Sequence, residues 1–186
     1  AGALMNPSGP VQRQLDACNA HDLERFMAEN AGRHMRTETT RVSPLGAEAG
    51  RVVVRPVAEA DLADLMAVNG DDEVARFLPY ESWRSADDGR AWLARMKKVE
   101  DAGTGVQLVV IDKASGRAIG SCLLFRLEPA SARAELGYVL GRQSWGQGLM
   151  HEALVALISH AFGTLGLRRL EAEVNPLNAA SCRLLE

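Results

Sequence analysis

Gln143-Ser144-Trp145-Gly146-Gln147-Gly148 sets two glycines two residues apart, immediately before an apolar helical pattern that opens at Leu149. A strand-like run ends just ahead of it at Leu140. Glycine removes the Cβ that keeps a main chain away from a bulky anion, and the first amides of a helix have no intrahelical acceptor. Such a loop can cradle a diphosphate. It can equally be a helix entry that happens to hold two glycines. Nearby in type, Glu135 in the run before the loop is a proton acceptor, and Asn178 and Ser181 at the head of the last helical pattern offer an amide and a hydroxyl.

Rival chemistries fit less well. Leu149 follows Gly148 where an NTP-binding loop needs Lys and then Ser or Thr, and no third glycine falls at dinucleotide-binding spacing. His151 and Glu152 open "HEALV", but Val155 stands where a zinc-protease helix carries its second histidine. His21, His34, His151 and His160 share no ligand spacing, so no metal is expected. Cys18, Cys122 and Cys182 are odd in number and lack CxxC spacing, which argues for reduced packing residues rather than disulfides or zinc.

The chain has 186 residues, 47% hydrophobic, enough to bury one core with an appendage. A net charge of -3 argues mildly against nucleic acid as partner. No apolar run is long enough for a membrane helix, and the start lacks a basic segment followed by an apolar one. The expectation is a soluble, cytoplasmic protein.

Residues 1–50 differ from the rest. "VQRQLDACNAHDLERFMAEN" spaces Val11, Leu15, Cys18, Leu23, Phe26 and Met27 for one or two short amphipathic helices, and "AGRHMRTETTRVSPLGAEAG" reads as a linker. From Arg51 the pattern becomes regular. "RVVVRPV" reads as a strand and "AEADLADLMAVNG" as a helix. "DDEVARFL" is a short helix capped by Asp71 or Asp72, and "SADDGRAWLARMKKVEDAG" a longer one that opens on Ser85 and buries Trp92, Met96 and Val99. "VQLVVID", "AIGSCLLFRL" and "ARAELGYVL" form an antiparallel meander. "LMHEALVALISHAF" repeats apolar pairs every four residues as a core helix does, "RRLEAEV" alternates as a strand, and Asn178 caps a last helix.

Taken in order, "DDEVARFLP", "AELGYVL", "QSWGQG", "HEAL" and "NPLNAAS" resemble the GNAT acetyltransferase superfamily over residues 51–186, and within it the branch that includes the ribosomal-protein N-terminal acetyltransferases RimJ and RimL. The resemblance implies an α/β fold, α+β with a mixed sheet, in which residues 51–186 are the acetyltransferase domain and residues 1–50 a helical extension. It also implies two further strands after "SCRLLE", so the domain is expected to lack its last two strands here and to leave Arg169–Val174 as a sheet edge, a pairing liability. The reading we favour is that the sequence continues beyond Glu186. "QLDACNAHDLERFM" separately resembles the opening helix of SnoaL-like proteins of the nuclear-transport-factor-2-like fold; it is taken as a docking or homodimer-forming helix without chemistry.

The activity implied is transfer of an acetyl group from acetyl-CoA to a primary amine by direct attack on the thioester. By resemblance, Gln143, Ser144, Trp145, Gly146, Gln147 and Gly148 hold the diphosphate, and Gly137, Tyr138, Val139 and Leu140 bind the pantetheine arm through their backbone. Asn178 contacts that arm, besides its plain reading as a helix cap. Ser181 lies near the sulfur and is the candidate proton donor, since Leu185 stands where many members carry a tyrosine. Glu135 is the candidate base, against a plain reading as an outward strand residue. Phe77, Leu78, Tyr80 and Trp83 form the acceptor wall or else belong to the core. An α-amine, at about 7.7 to 8.0, gives up its proton roughly 2.5 units more easily than lysine, about 3.4 kcal/mol, so one modest base suits a protein or peptide N-terminus or a small amine. The alternative is a non-catalytic acyl-CoA-binding or scaffold module.

Overall fold

A computed structural model describes residues 11–13 and 47–186. In chain order it contains strands β1 (Val11–Arg13), β2 (Ala47–Ala49) and β3 (Val52–Pro56), then helices α1 (Leu62–Asn69), α2 (Asp72–Ala75) and α3 (Ala86–Asp101). Strands β4 (Gly105–Asp112), β5 (Ala118–Glu128) and β6 (Arg133–Leu140) follow, then helix α4 (Leu149–Gly163), strand β7 (Arg169–Val174) and helix α5 (Ala179–Leu184). One mixed sheet takes the order β1-β7-β6-β5-β4-β3-β2. Among the described strands only β6 and β7 pair in parallel, because α4 carries the chain back between them.

"VQLVVID" is apolar on consecutive residues because both faces of β4 are covered. Leu108 and Val110 join Val52, Val54, Cys122, Leu124, Leu136 and Ala172 beneath α4, while Val109 faces Leu65, Trp92 and Leu93 of α1 and α3. Helix α4 seats Leu149, Ala153, Leu157 and Ala161 on the sheet; Val155 and Ala156 are buried as well, so it is enclosed on more sides than its apolar pairs predict. Helix α2 is capped by Asp71, whose carboxylate accepts the Glu73 amide at 3.0 Å. Helix α3 is capped at Ser85, whose amide donates to Asp88 Oδ2 at 2.8 Å.

Three expectations change at the sheet edges. Val11–Arg13 form a strand where the spacing predicts the start of a helix; residues 14–46, which hold the rest of the expected helical extension and most of the linker, lie outside the described residues. That strand pairs Val11 with Val174 and Arg13 with Ala172, so the outer side of β7 is covered over these residues rather than bare. The expected linker also ends earlier. Ala47–Ala49 pair with β3 as a hairpin turning on Gly50, whose φ of +39° suits glycine.

Candidate active site

Strands β6 and β7 pair at Arg133 with Arg169, Ala134 with Leu170 and Glu135 with Glu171, and then stop, although β6 continues to Leu140 and β7 to Val174. Beyond that rung the sheet opens. The Gly141 amide donates to the Ile119 carbonyl at 2.8 Å, so odd-numbered residues here bond to β5, and by alternation the amides and carbonyls of Leu136, Tyr138 and Leu140 face the opening. Trp145 Nε1 donates to the Leu140 carbonyl at 2.7 Å. The Leu136 and Tyr138 main-chain groups are those an extended ligand would meet; of the backbone groups expected to bind the arm, those of Gly137 and Val139 are instead turned to β5 and the Leu140 carbonyl is held by Trp145.

At the end of β6 a single 3-10 turn, Arg142–Ser144, leads into the glycine loop. Gly146 and Gly148 have φ of +70° and +77°, a region L side chains rarely adopt, and Gly148 caps α4 without a side chain. The first amides of α4 thus face outward with no cap to occupy them. A Cβ on Gly146 would meet nothing within 4 Å, so the space above it is open. The loop is braced from its flanks: Gln147 Nε2 donates to the Gln143 carbonyl at 2.8 Å and Arg51 Nη2 to the Gln147 carbonyl at 2.7 Å. Arg51 also grips Glu152, in the first turn of α4, through Nε at 2.8 Å and Nη2 at 2.6 Å. Arg142 pairs with Asp71 at 2.9 Å, tying the loop to the cap of α2.

Across the opening from β6 lies α5. Asn178 Oδ1 accepts the Ser181 amide at 3.1 Å, so the helix-cap reading holds for its oxygen, while its amide nitrogen is not used by that cap. Ser181 Oγ lies 2.5 Å from the Tyr138 hydroxyl. Burial, partly offset by this hydrogen bond, holds Tyr138 above the ordinary tyrosine range. Cys182, next to Ser181, directs its sulfur at the carbonyls of Asn175 and Pro176.

Glu135 projects from the opposite face of β6 to Tyr138, and its Oε1 accepts Arg126 Nη1 at 2.7 Å. Arg126 sits in a bulge of β5 with φ of +49°, which is how an exposed arginine of one strand comes to reach the neighbouring strand's carboxylate. Glu171, buried, is shared by two arginines. Arg133 Nη1 donates to its Oε2 at 3.3 Å, and Arg169 Nε lies 2.6 Å from its Oε1 without aiming its N–H at it.

The expected acceptor residues do not form one wall. Leu78 packs with Val68 and Val74 against Val139 of β6, and so does reach the strand that lines the opening. Phe77 is capped by the Arg76 guanidinium, 5.2 Å from its ring centre. Tyr80 donates to buried Asn69 at 3.0 Å, and burial pushes its hydroxyl up to about 12. Trp83 lies in the helix-side core, 5.3 Å from the Trp92 ring centre and 3.1 Å from where a Cβ on Gly89 would stand. Sequence reading missed Arg51 and Arg142, whose partners are distant in sequence, and Arg126, which reaches Glu135 nine residues on only through the bulge of β5; it valued Tyr138 for its backbone alone.

Among the described residues no three His, Cys, Asp or Glu side chains stand as a metal group, and no helix is long and apolar enough to cross a membrane. Burial pushes the Cys122 thiol up to about 12, which leaves it unreactive.

Comparison with known proteins converges on one family. Residues 51–186 match the family model described as an acetyltransferase (GNAT) domain. A Bacillus licheniformis protein described as uncharacterized N-acetyltransferase p20 is 30% identical over 135 residues, covering 73% of this chain and 76% of that one. The structure of RimL, a ribosomal L7/L12 alpha-N-protein acetyltransferase in complex with coenzyme A, superposes with a TM-score of 0.65 at 19% identity, over 73% of this chain and 77% of that one. Spermidine N-acetyltransferase from Vibrio cholerae, in complex with CoA and spermine, superposes with a TM-score of 0.63 at 19% identity, over 72% and 77%.

Proposed function

The chain belongs to the GNAT acetyltransferase family, and from that premise we propose that it acetylates the α-amine of a protein or peptide N-terminus, or a small amine, in the manner of the RimJ/RimL-like branch. It is an acyltransferase whose acetyl donor is acetyl-CoA. The observation that carries the reading is the coincidence of two features: the opening beyond Glu135 and Glu171, and the positive-φ glycines at the head of α4 beside it. They fit the donor. Gly146 leaves open space where a side chain would stand, and the uncapped amides of α4 meet negative charge with the helix dipole behind them.

When bound, acetyl-CoA supplies an activated acyl carbonyl. Gln143, Ser144, Trp145, Gly146, Gln147 and Gly148 hold the diphosphate in this reading, and Leu136 and Tyr138 offer main-chain groups to an extended arm. Asn178 contributes its amide nitrogen. Glu135 receives the acceptor's proton at Oε2, because Arg126 engages Oε1. Leu78 and Phe77 border the acceptor's path, and Tyr80 braces their loop through Asn69.

The RimL and spermidine enzymes share this fold with different amines, so the acceptor is decided by assay. Free thiol released from acetyl-CoA is followed with peptides bearing free N-termini, the same peptides blocked at the N-terminus but bearing lysine, and polyamines. The α-amine reading expects release with the first group at neutral pH and little with the second. Faster release with polyamines would overturn the peptide acceptor while leaving acetyl transfer intact.

A further inference from the structure

The proposed reaction leaves an electron pair on sulfur, and a hydrogen-bond donor aimed at that charge would stabilise its departure. The structure supplies one. Tyr138 on β6 and Ser181 on α5 stand on opposite walls of the opening with their hydroxyl oxygens 2.5 Å apart. Ser181 is fixed twice, at its amide by Asn178 and at its side chain by Tyr138.

The sense of the Tyr138–Ser181 bond follows from the alternatives. If serine donated to tyrosine, the tyrosine hydrogen would be left with the Ser181 carbonyl at 3.5 Å, beyond the usual O–H···O range. If tyrosine donates to Ser181 Oγ, its hydrogen makes the short bond and the serine hydrogen is left free. We propose that Tyr138 is a positioning residue that donates to Ser181 Oγ and so turns the serine O–H into the opening, where it donates to the departing sulfur. This rests on the acetyl-transfer reading above.

Tyr138, held above the ordinary tyrosine range by burial, keeps its proton at any working pH and acts as a fixed donor rather than an acid. As the C–N bond forms and the C–S bond breaks, the electron pair goes to sulfur, which the Ser181 hydrogen bond steadies. The amine's proton goes to Glu135 Oε2, and sulfur takes its own proton from water on release. No O–H bond of Tyr138 or Ser181 breaks.

The test reads the thiol of bound CoA directly, by thiolate absorbance across a pH titration, in the wild type, Tyr138→Phe, Ser181→Ala and the double variant. Phenylalanine keeps the ring that packs on the α4 face, and thermal melts confirm folding. The expected result is a thiol that ionises at lower pH when bound than when free, with about tenfold more thiolate at a given pH, equal to one unit or about 1.4 kcal/mol. Each single variant should remove most of that shift, and Tyr138→Phe should add nothing once Ser181 is Ala. Turnover should fall about tenfold in kcat in each single variant, with KM for acetyl-CoA little changed.

Equal effects of Tyr138→Phe with and without Ser181 would overturn the inference, as would a bound thiol that titrates identically in wild type and Tyr138→Phe. If calorimetry shows no CoA binding to the wild type, the acetyl-transfer reading falls and this inference with it. Binding and turnover with an unshifted thiol sink the inference alone.

Discussion

Glu135 and Glu171 are the last in-register partners of the parallel pair β6 and β7, and the sheet parts immediately beyond them. Two carboxylates directly opposite on one face repel, so such a rung needs compensation. It is supplied by Arg126 on Glu135 and by Arg133 and Arg169 on Glu171, the latter carboxylate being only 3% exposed. The apex of the opening is therefore a fixed ionic joint. Glu171 is spent on holding it, whereas Glu135 keeps Oε2 outside its pair with Arg126 and is the carboxylate the proposed reaction would use.

Replacing Glu135 by Gln keeps the volume and an oxygen for Arg126 while removing the base. Turnover should fall about 100-fold or more, the usual scale for a positioned general base, with the melting midpoint nearly unchanged. Steady-state kinetics across pH check it; a variant as fast as the wild type on the same acceptor shows that the proton leaves by another route.

Gly146→Ala isolates the anion cradle from the fold. Nothing lies within 4 Å of the added Cβ, so the cost to the free protein is the left-handed backbone, on the order of 1 kcal/mol. The methyl would, however, stand in the ligand's path. Calorimetry should show CoA affinity reduced at least tenfold while the thermal midpoint drops by only a few degrees. Unchanged affinity would remove the loop from the binding site.

Arg51 neutralises a carboxylate that sits where the ligand's negative charge is expected. Glu152 lies in the first turn of α4, beside the amides left free by Gly148. Arg51→Ala should expose that charge and loosen the Gln147 carbonyl, weakening CoA binding several-fold, more at low ionic strength than at high. Adding Glu152→Gln should recover part of the loss. A double variant as weak as Arg51→Ala shows that the arginine acts on the ligand itself.

Strand β6 and helix α4 are legible in the sequence because each repeats a clean period and each has turn residues at its ends. The glycine loop is legible because only glycine tolerates φ of +70° and +77° without strain, and that requirement is written in residue type. Trp83 is not: an aromatic beside charged residues looks like a ligand surface until Gly89, inside α3, is seen to make room for its ring. Nor is β1, since three residues carry no period and their partners lie over 150 positions away. Arg51 and Glu152, 101 residues apart, show the same limit. Polar side chains announce a charge in sequence, whereas their partner is decided by the fold.

His160 gives the protein a stability term that pH can read. It is buried on α4 with Nδ1 lacking any hydrogen-bond partner, and burial holds it below the ordinary histidine range. In the unfolded chain it titrates near 6.5. Between those two values the unfolded state binds a proton that the folded state does not, so its contribution is complete above about pH 6.5 and is lost as pH falls towards the folded value. Carboxylates such as Asp64, held below their usual range by Arg117, act in the same direction but only below about pH 4. Melting midpoints at about pH 7.5 and 5.5 therefore isolate histidine: the wild type should lose stability across that interval, and His160→Leu, which accepts no proton there, should lose measurably less. Parallel pH dependence in the two proteins would place the titrating group elsewhere.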